Sequence, residues 1–135
     1  MEKITVEATV ENLQRVTDFA TEKLEARACP LKASMQLELV IEELFVNIAS
    51  YAYETATGDA TFCIDFAENP AAVLLTFIDS GKPYNPLEKP DPDTTLDADE
   101  REIGGLGIFL VKNNVDEIFY ERTDGKNILR MKKFF

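Results

Sequence analysis

Three short segments of this chain carry polar residues or glycines in arrangements that could do chemistry. In the first, Glu43 and Asn47 lie four residues apart in a run with helical periodicity, so their side chains project together. An amide oxygen there can ligate Mg²⁺, and a carboxylate one turn earlier can orient or deprotonate an attacking hydroxyl. A solvated polar flank of an amphipathic helix would show the same pattern.

The second segment follows an apolar run that ends at Asp79. Gly81, two residues later, permits a sharp turn. A buried carboxylate at the end of a strand can accept a hydrogen bond from the exocyclic amine of adenine. Asp-Ser-Gly is also common in ordinary turns, so this segment by itself indicates only a turn.

The third segment is a cluster of glycines before a short apolar run over residues 108–113. The cluster consists of Gly104, Gly105, Leu106 and Gly107. Glycines before a helix expose backbone N–H groups, and the positive end of the helix favours phosphates. The spacing matches neither a Walker A motif nor the GxGxxG pattern, and a flexible hinge is the alternative.

The elements that position these segments are predicted from hydrophobic periodicity. Strands are predicted over residues 3–8, 60–67, 71–79, 115–122 and 127–134. Helices are predicted over residues 11–28, 31–53 and 108–113. Residues 80–103 are rich in proline and acids, which predicts a long loop suited to a lid over a site. The order β-α-α-β-β-loop-α-β-β predicts an α+β two-layer sandwich with helices on one face of the sheet.

Length and composition narrow the class of protein. The 135 residues suit a single domain over residues 1–135, and no apolar stretch or signal segment is evident, which predicts a cytoplasmic protein without membrane contact. The absence of histidine excludes histidine-based catalysis and most zinc sites. A net charge of −11 argues against direct binding to nucleic acid. Two cysteines without a CxxC pair predict reduced thiols.

Taken in order, the three segments resemble the GHKL ATPase superfamily, whose ATP site lies on the sandwich known as the Bergerat fold. Residues 43–47 match its N box, residues 79–83 its first glycine box, and residues 105–107 its second. Residues 79–86 and 104–112 are most similar to bacterial anti-sigma-factor serine/threonine kinases. The resemblance implies a mixed, largely antiparallel sheet, and a lid over the ATP at about residues 80–103.

The resemblance also implies a role for each matching residue. Asn47 would coordinate Mg²⁺, Asp79 would read adenine, and Gly81 would shape the turn beside it. Glu43 would be the general base for a protein serine hydroxyl. Backbone amides of the glycine cluster would bring hydrogen bonds to the phosphates of ATP, from Gly104, Gly105, Leu106 and Gly107.

The implied partners are proteins. The substrate would be a serine on a STAS-domain anti-anti-sigma protein, and a sigma factor would be the second partner. Related kinases commonly pair, and Phe45, Val46 and the strand over residues 3–8 could serve the interface of a homodimer.

Two departures from the kinase pattern keep an alternative open. These kinases often carry a basic residue just before the second glycine box, where this chain has Ile103 and the nearest base is Arg101. The final strand of the superfamily often carries a threonine near the phosphates, and Asn127 is the nearest polar match. Both departures weaken the argument for phosphoryl transfer more than the argument for ATP binding, and Ile103 favours a non-catalytic ATP-binding module for partner switching. A detached histidine-kinase catalytic domain and a structural domain without ligand are further alternatives.

Overall fold

The computed structural model describes residues 1–53, 56–88 and 105–135. Its elements in chain order are β1 (Glu2–Glu7), a 3₁₀ turn (Val10–Asn12), α1 (Leu13–Ala26), α2 (Leu31–Tyr51), β2 (Asp59–Ala67), β3 (Ala72–Asp79), a second 3₁₀ turn (Pro86–Glu88), α3 (Gly105–Asn114), β4 (Glu117–Thr123) and β5 (Lys126–Phe134). The predicted helices and strands are all present with small shifts at their ends. The largest shift is in α3, which begins at Gly105 and so includes two of the glycines.

The five strands form one sheet in the order β1-β2-β3-β5-β4. Each of the strand pairs within the described ranges is antiparallel. Apolar residues of the sheet form one buried cluster with residues of α1, α2 and α3. The predicted α+β sandwich is therefore confirmed.

Helix α2 lies between α1 and α3 and packs on the sheet. Its stripe of Leu37, Ile41 and Leu44 is buried, and so is Phe45, which lies off that stripe and is 1% exposed. The helix is thus covered on more than one side. Because Phe45 is enclosed within its own chain, the prediction that it could serve a homodimer interface is wrong.

The pairing of β3 with β5 places Asp79 directly opposite Asn127. Side chains alternate between the two faces of a strand, so both residues share the helix-facing side with Phe77 and Leu129. Asp79 and Asn127 are the buried polar residues at the end of this otherwise apolar face, each 7% exposed. A buried polar pair needs its hydrogen bonds satisfied, which makes this end of the sheet the place to look for a site.

The predicted lid is only partly described. Residues 80–88 leave the end of β3 and finish in the turn Pro86–Glu88. Arg101, Ile103 and Gly104 lie outside the described residues, so the expectations for them stay predictions. Among helices in the described ranges, none combines the length and the apolar character needed to cross a bilayer.

Candidate functional site

A cleft opens between the C-terminal half of α2 and the ends of β3 and β5. Asn47 and Tyr51 line it from the helix, while Asp79 and Asn127 line it from the sheet. Most of the remaining wall is apolar and includes Leu44, Ile48, Phe77 and Leu129. Apolar walls with a few fixed polar groups are typical of a site for a flat organic ring.

Asp79 is held through one of its two carboxylate oxygens. Oδ1 accepts hydrogen bonds from the backbone N–H of Gly81 at 2.9 Å and from Nδ2 of Asn127 at 3.0 Å. Among the residues that the structure describes, none donates to Oδ2. That oxygen can still accept a hydrogen bond from a ligand, as the predicted contact with the exocyclic amine of adenine requires.

Asn127 lies beside Asp79 at the base of the cleft. Its Nδ2 also donates to the backbone oxygen of Lys82 at 2.8 Å, and its Oδ1 accepts from the Tyr120 hydroxyl at 2.6 Å. The resemblance to the superfamily matches this position to a threonine near the phosphates. The structure instead makes Asn127 a direct partner of the residue predicted to read the purine.

Sequence reasoning missed this partnership and the role of Tyr120 in it. One signal was available, because alternation along the last strand puts position 127 on the same face as Leu129 and Met131. A polar residue on a face that is otherwise apolar indicates a buried hydrogen-bonding group. Nothing in the sequence signalled Tyr120, whose contact depends on strand register.

The turn after Asp79 packs against the end of α2. A Cβ atom at Gly81 would collide with the backbone oxygen and the side chain of Ala52, so glycine is required for this approach. The N–H of Lys82 donates to the Ala52 oxygen at 3.0 Å, and Arg122 Nη1 donates to the Gly81 oxygen at 2.8 Å. The turn is therefore tied to both α2 and β4.

Tyr53 ties the same turn to β2. Its hydroxyl accepts from the N–H of Ser80 at 2.7 Å and donates to the backbone oxygen of Asp59 at 2.6 Å. Burial raises the pKa of Tyr53 above its ordinary value of 10.0, with smaller contributions from the nearby carboxylates. The neutral hydroxyl is thus the form that the fold favours.

A recess next to the cleft brings together the other predicted residues. Glu43, Asn47 and Tyr51 line it from α2, and Gly107 lines it from α3. A Cβ atom at Gly107 would lie 2.8 Å from Oε2 of Glu43, so the absence of a side chain lets the carboxylate approach this backbone. Because Asn47 and Tyr51 line both spaces, the recess and the cleft are neighbours.

Helix α3 presents its N-terminal turn at this recess. The helix begins at Gly105, so the N–H groups of Gly105, Leu106 and Gly107 are among those without a partner inside the helix. Such N–H groups bind anions readily, and the helix dipole adds positive charge at this end. Gly104, also predicted for this role, precedes the described part of the helix.

A divalent cation would have few protein ligands here. Within the described parts of the chain, no group of three or more acidic, cysteine or histidine residues could hold a metal. Mg²⁺ commonly takes only one or two protein oxygens and completes its shell with water and substrate phosphates. The amide of Asn47, one turn from the Glu43 carboxylate and beside α3, fits that kind of shared site.

Comparison with known sequences defines the class of this protein. The sequence pattern of the histidine kinase-like ATPase domain matches residues 6–133, and the chain belongs to that family. Membership in an ATPase family implies a site for ATP. The resemblance drawn from the three segments is therefore confirmed.

Two named relatives are similar to this chain at low identity. The serine/threonine-protein kinase BtrW of Bordetella bronchiseptica is 28% identical over 95 residues, which are 70% of this chain and 66% of that protein. An anti-sigma F factor of Caldanaerobacter subterraneus subsp. tengcongensis is 28% identical over 99 residues, which are 73% of this chain and 68% of that protein. The chain thus matches about two thirds of the length of each relative.

Proposed function

We propose that this protein is an ATP-dependent protein serine/threonine kinase that phosphorylates a STAS-domain anti-anti-sigma protein and sequesters a sigma factor. One observation carries the proposal. Glu43, Asn47 and Gly107 line a recess, and Asn47 also lines the adjoining cleft that contains Asp79. These two adjoining spaces together form the proposed groove. A base, a metal ligand, backbone N–H groups for the phosphates and an acceptor for the purine amine along it are what such a kinase requires.

In the proposed complex, the purine of ATP occupies the cleft between its apolar walls. Asp79 Oδ2 accepts a hydrogen bond from the exocyclic amine. The phosphates extend toward the first turn of α3, where backbone N–H groups of Gly105, Leu106 and Gly107 bind them. Asn47 would hold Mg²⁺, which would supply charge neutralisation at the phosphates.

Glu43 is the proposed general base. It lies one helical turn before Asn47, is half-buried, and has no ion pair or hydrogen bond to the described residues. A carboxylate so placed can accept the proton of a serine hydroxyl while the serine oxygen bonds to the γ-phosphorus, the bond to the bridging oxygen breaks and ADP leaves. Phosphoryl transfer depends mainly on positioning and electrostatic stabilisation, so the place of Glu43 relative to the start of α3 matters to the rate.

The names of the two relatives support the proposed kinase activity and the sigma factor as a partner. One is named a serine/threonine-protein kinase and the other an anti-sigma F factor, which together suggest both activities for this chain. The net charge of −11 is unsuited to DNA, so we propose that its effect on transcription passes through proteins in the cytoplasm.

The proposal is tested by incubating the protein with labelled MgATP and a STAS protein encoded beside its gene. One serine of the STAS protein should become labelled. Glu43→Ala should lower the labelling rate by about 100-fold or more, while calorimetry shows ATP affinity changed by less than about threefold.

Glu42→Ala is the matched control, because Glu42 is the adjacent acid on α2 and is exposed. It should label at the rate of the unchanged protein. An unchanged rate in Glu43→Ala would remove Glu43 from the mechanism, and a lack of adenine-specific binding by the unchanged protein would overturn the proposal.

A second candidate is a non-catalytic module that binds ATP in order to set the shape of a protein-binding surface. The presence of Ile103 where related kinases often carry a basic residue favours it. Tight binding of both ATP and the STAS protein without phosphate transfer would select this candidate.

A further inference from the structure

Every hydrogen-bonding position of the Asn127 side-chain amide is occupied. Oδ1 accepts from the Tyr120 hydroxyl at 2.6 Å and from the N–H of Tyr84 at 3.3 Å. Nδ2 donates to Asp79 Oδ1 at 3.0 Å and to the backbone oxygen of Lys82 at 2.8 Å. An amide offers two acceptor lone pairs and two donors, so this one is saturated.

These partners allow only one orientation of the amide. If the amide were reversed, Nδ2 would face the N–H of Tyr84, and Oδ1 would face the Asp79 carboxylate and the Lys82 oxygen. Both arrangements are repulsive. The Tyr120 hydroxyl could bond to either end of the amide, so the orientation is set by the Tyr84 N–H and the two oxygens. In that orientation Tyr120 makes the shorter of the two contacts to Oδ1 and holds the amide in place.

The fixed amide in turn fixes the Asp79 carboxylate. A carboxylate can rotate about its last torsion, which is broad and roughly two-fold. Here both donors, Asn127 Nδ2 and the N–H of Gly81, bind the same oxygen. That arrangement sets the plane of the carboxylate and reserves Oδ2 for another donor.

We infer that Tyr120 and Asn127 are positioning residues that set selectivity for a purine bearing an exocyclic amine. They act through Asp79, whose Oδ2 they keep available as an acceptor. The inference rests on the proposed binding of ATP in this cleft and assigns purine selectivity to residues on β4 and β5.

A purely structural role explains the network less well. Tyr120 lines the cleft and uses its hydroxyl proton on Asn127. Asn127 lies on a face whose next inward residues are Leu129 and Met131, where an amide costs free energy unless it is paired. An apolar residue at position 127 would avoid that cost but would leave Oδ1 of Asp79 without its side-chain donor.

The test compares two nucleotides in calorimetry: ATP and purine riboside triphosphate, which lacks the exocyclic amine. The unchanged protein should bind ATP about tenfold or more tightly than the analogue, since the amine bonds a charged acceptor. Tyr120→Phe should weaken the binding of ATP by about fivefold and that of the analogue by less than about twofold. The ratio of the affinity for ATP to that for the analogue therefore falls. A residue that only supports the fold would weaken both nucleotides equally.

Asn127→Ala removes the side-chain donor itself and should lower the affinity ratio further than Tyr120→Phe does. Its matched control is Asn113→Ala, because Asn113 is exposed on α3 and its amide donates to the Phe109 oxygen at 2.9 Å within that helix. The control should keep the ratio of the unchanged protein. Thermal melting of each variant confirms that it is folded before titration.

The outcomes separate this inference from the proposed function. If the unchanged protein does not prefer ATP to the analogue, the purine site itself is wrong and the inference falls with it. If the unchanged protein prefers ATP and Tyr120→Phe keeps the same ratio, the positioning role is overturned while the proposed kinase stands. A reduced ratio in Tyr120→Phe supports the inference.

Discussion

The two ends of the groove are built differently. At one end, Asp79 and Asn127 are buried and joined to their neighbours by hydrogen bonds between 2.6 and 3.3 Å. At the other end, Glu43 and Asn47 are half-buried, and their side chains make no hydrogen bond to the described residues. The first end is fixed by the fold, whereas the second is adjustable.

This difference assigns the two ends different tasks. A fixed carboxylate can discriminate between purines because it loses little conformational entropy when a ligand binds. Side chains that are not held by hydrogen bonds can adjust their conformation to phosphates, to Mg²⁺ and then to a protein serine. We therefore expect changes at the fixed end to alter affinity and selectivity, and changes at the adjustable end to alter rate.

The largest expected effect is at the fixed end. Asp79→Asn can keep its oxygen toward Gly81 and Asn127, which leaves an amide NH₂ where Oδ2 was. A donor would then face the exocyclic amine, so ATP affinity should fall by about 100-fold, while inosine triphosphate, which carries an oxygen there, should lose much less.

Calorimetry with both nucleotides measures this reversal. Asp65→Asn is the control, since Asp65 is an exposed carboxylate on β2 outside the cleft, and it should change neither affinity. Equal losses for both nucleotides in Asp79→Asn would contradict a direct contact between Asp79 and the purine amine.

An intermediate effect is expected at the adjustable end. Gly107→Ala adds a Cβ 2.8 Å from Glu43 Oε2, and the carboxylate can move because it ends a flexible side chain. Phosphate transfer should fall by about tenfold through misplacement of the base. The free energy of unfolding should be unchanged or rise by up to about 1 kcal/mol, because alanine favours a helix more than glycine does.

A double-mutant cycle sharpens this prediction. In a Glu43→Ala background, the added Cβ no longer meets the carboxylate, so Gly107→Ala should have little further effect on the rate. If the fold-losses of rate in the two single variants multiply in the double variant, Gly107 does not act through Glu43.

The smallest effect is expected at Tyr53, beside the fixed end. Burial raises the pKa of its hydroxyl above 10.0, so its stabilising contribution is present below pH 10.0 and is lost as the pH rises through the folded-state pKa. Tyr53→Phe should lower the free energy of unfolding by about 1 kcal/mol at neutral pH. Its ATP affinity should change by less than about threefold.

Denaturant unfolding between pH 8 and about pH 11 checks the sign. Above pH 10.0 the unchanged protein should lose stability more steeply than Tyr53→Phe, so the two curves converge. The buried Cys63 also has a raised pKa, but it contributes equally to both proteins and cancels in the difference. Parallel curves would exclude Tyr53 as the titrating group.

The order and type of the elements were predictable from the sequence because they depend on local patterns. Alternation marked β1, β-branched and aromatic content marked β3, and helical spacing marked α2. Each lies where it was expected. The neighbourhood of Glu43 and Asn47 was also predictable, since positions four apart on a helix always lie together.

Features that depend on contacts between distant segments were not predictable. The pairing of Asp79 with Asn127 requires the register between β3 and β5, and the contact between Gly107 and Glu43 requires the packing of α3 on α2. The prediction that Phe45 could serve an interface was wrong for the same reason. The position of an apolar residue on a helix does not show which neighbour covers it.

The turn after β3 couples the two ends of the groove mechanically. It is bonded to the last turn of α2 through Lys82 and Ala52, and to β4 through Gly81 and Arg122. A ligand that displaces this turn must break one of those bonds or shift the C-terminal end of α2. Because Glu43 belongs to the same continuous helix, these bonds hold the purine end of the groove at a set spacing from the backbone of the proposed base.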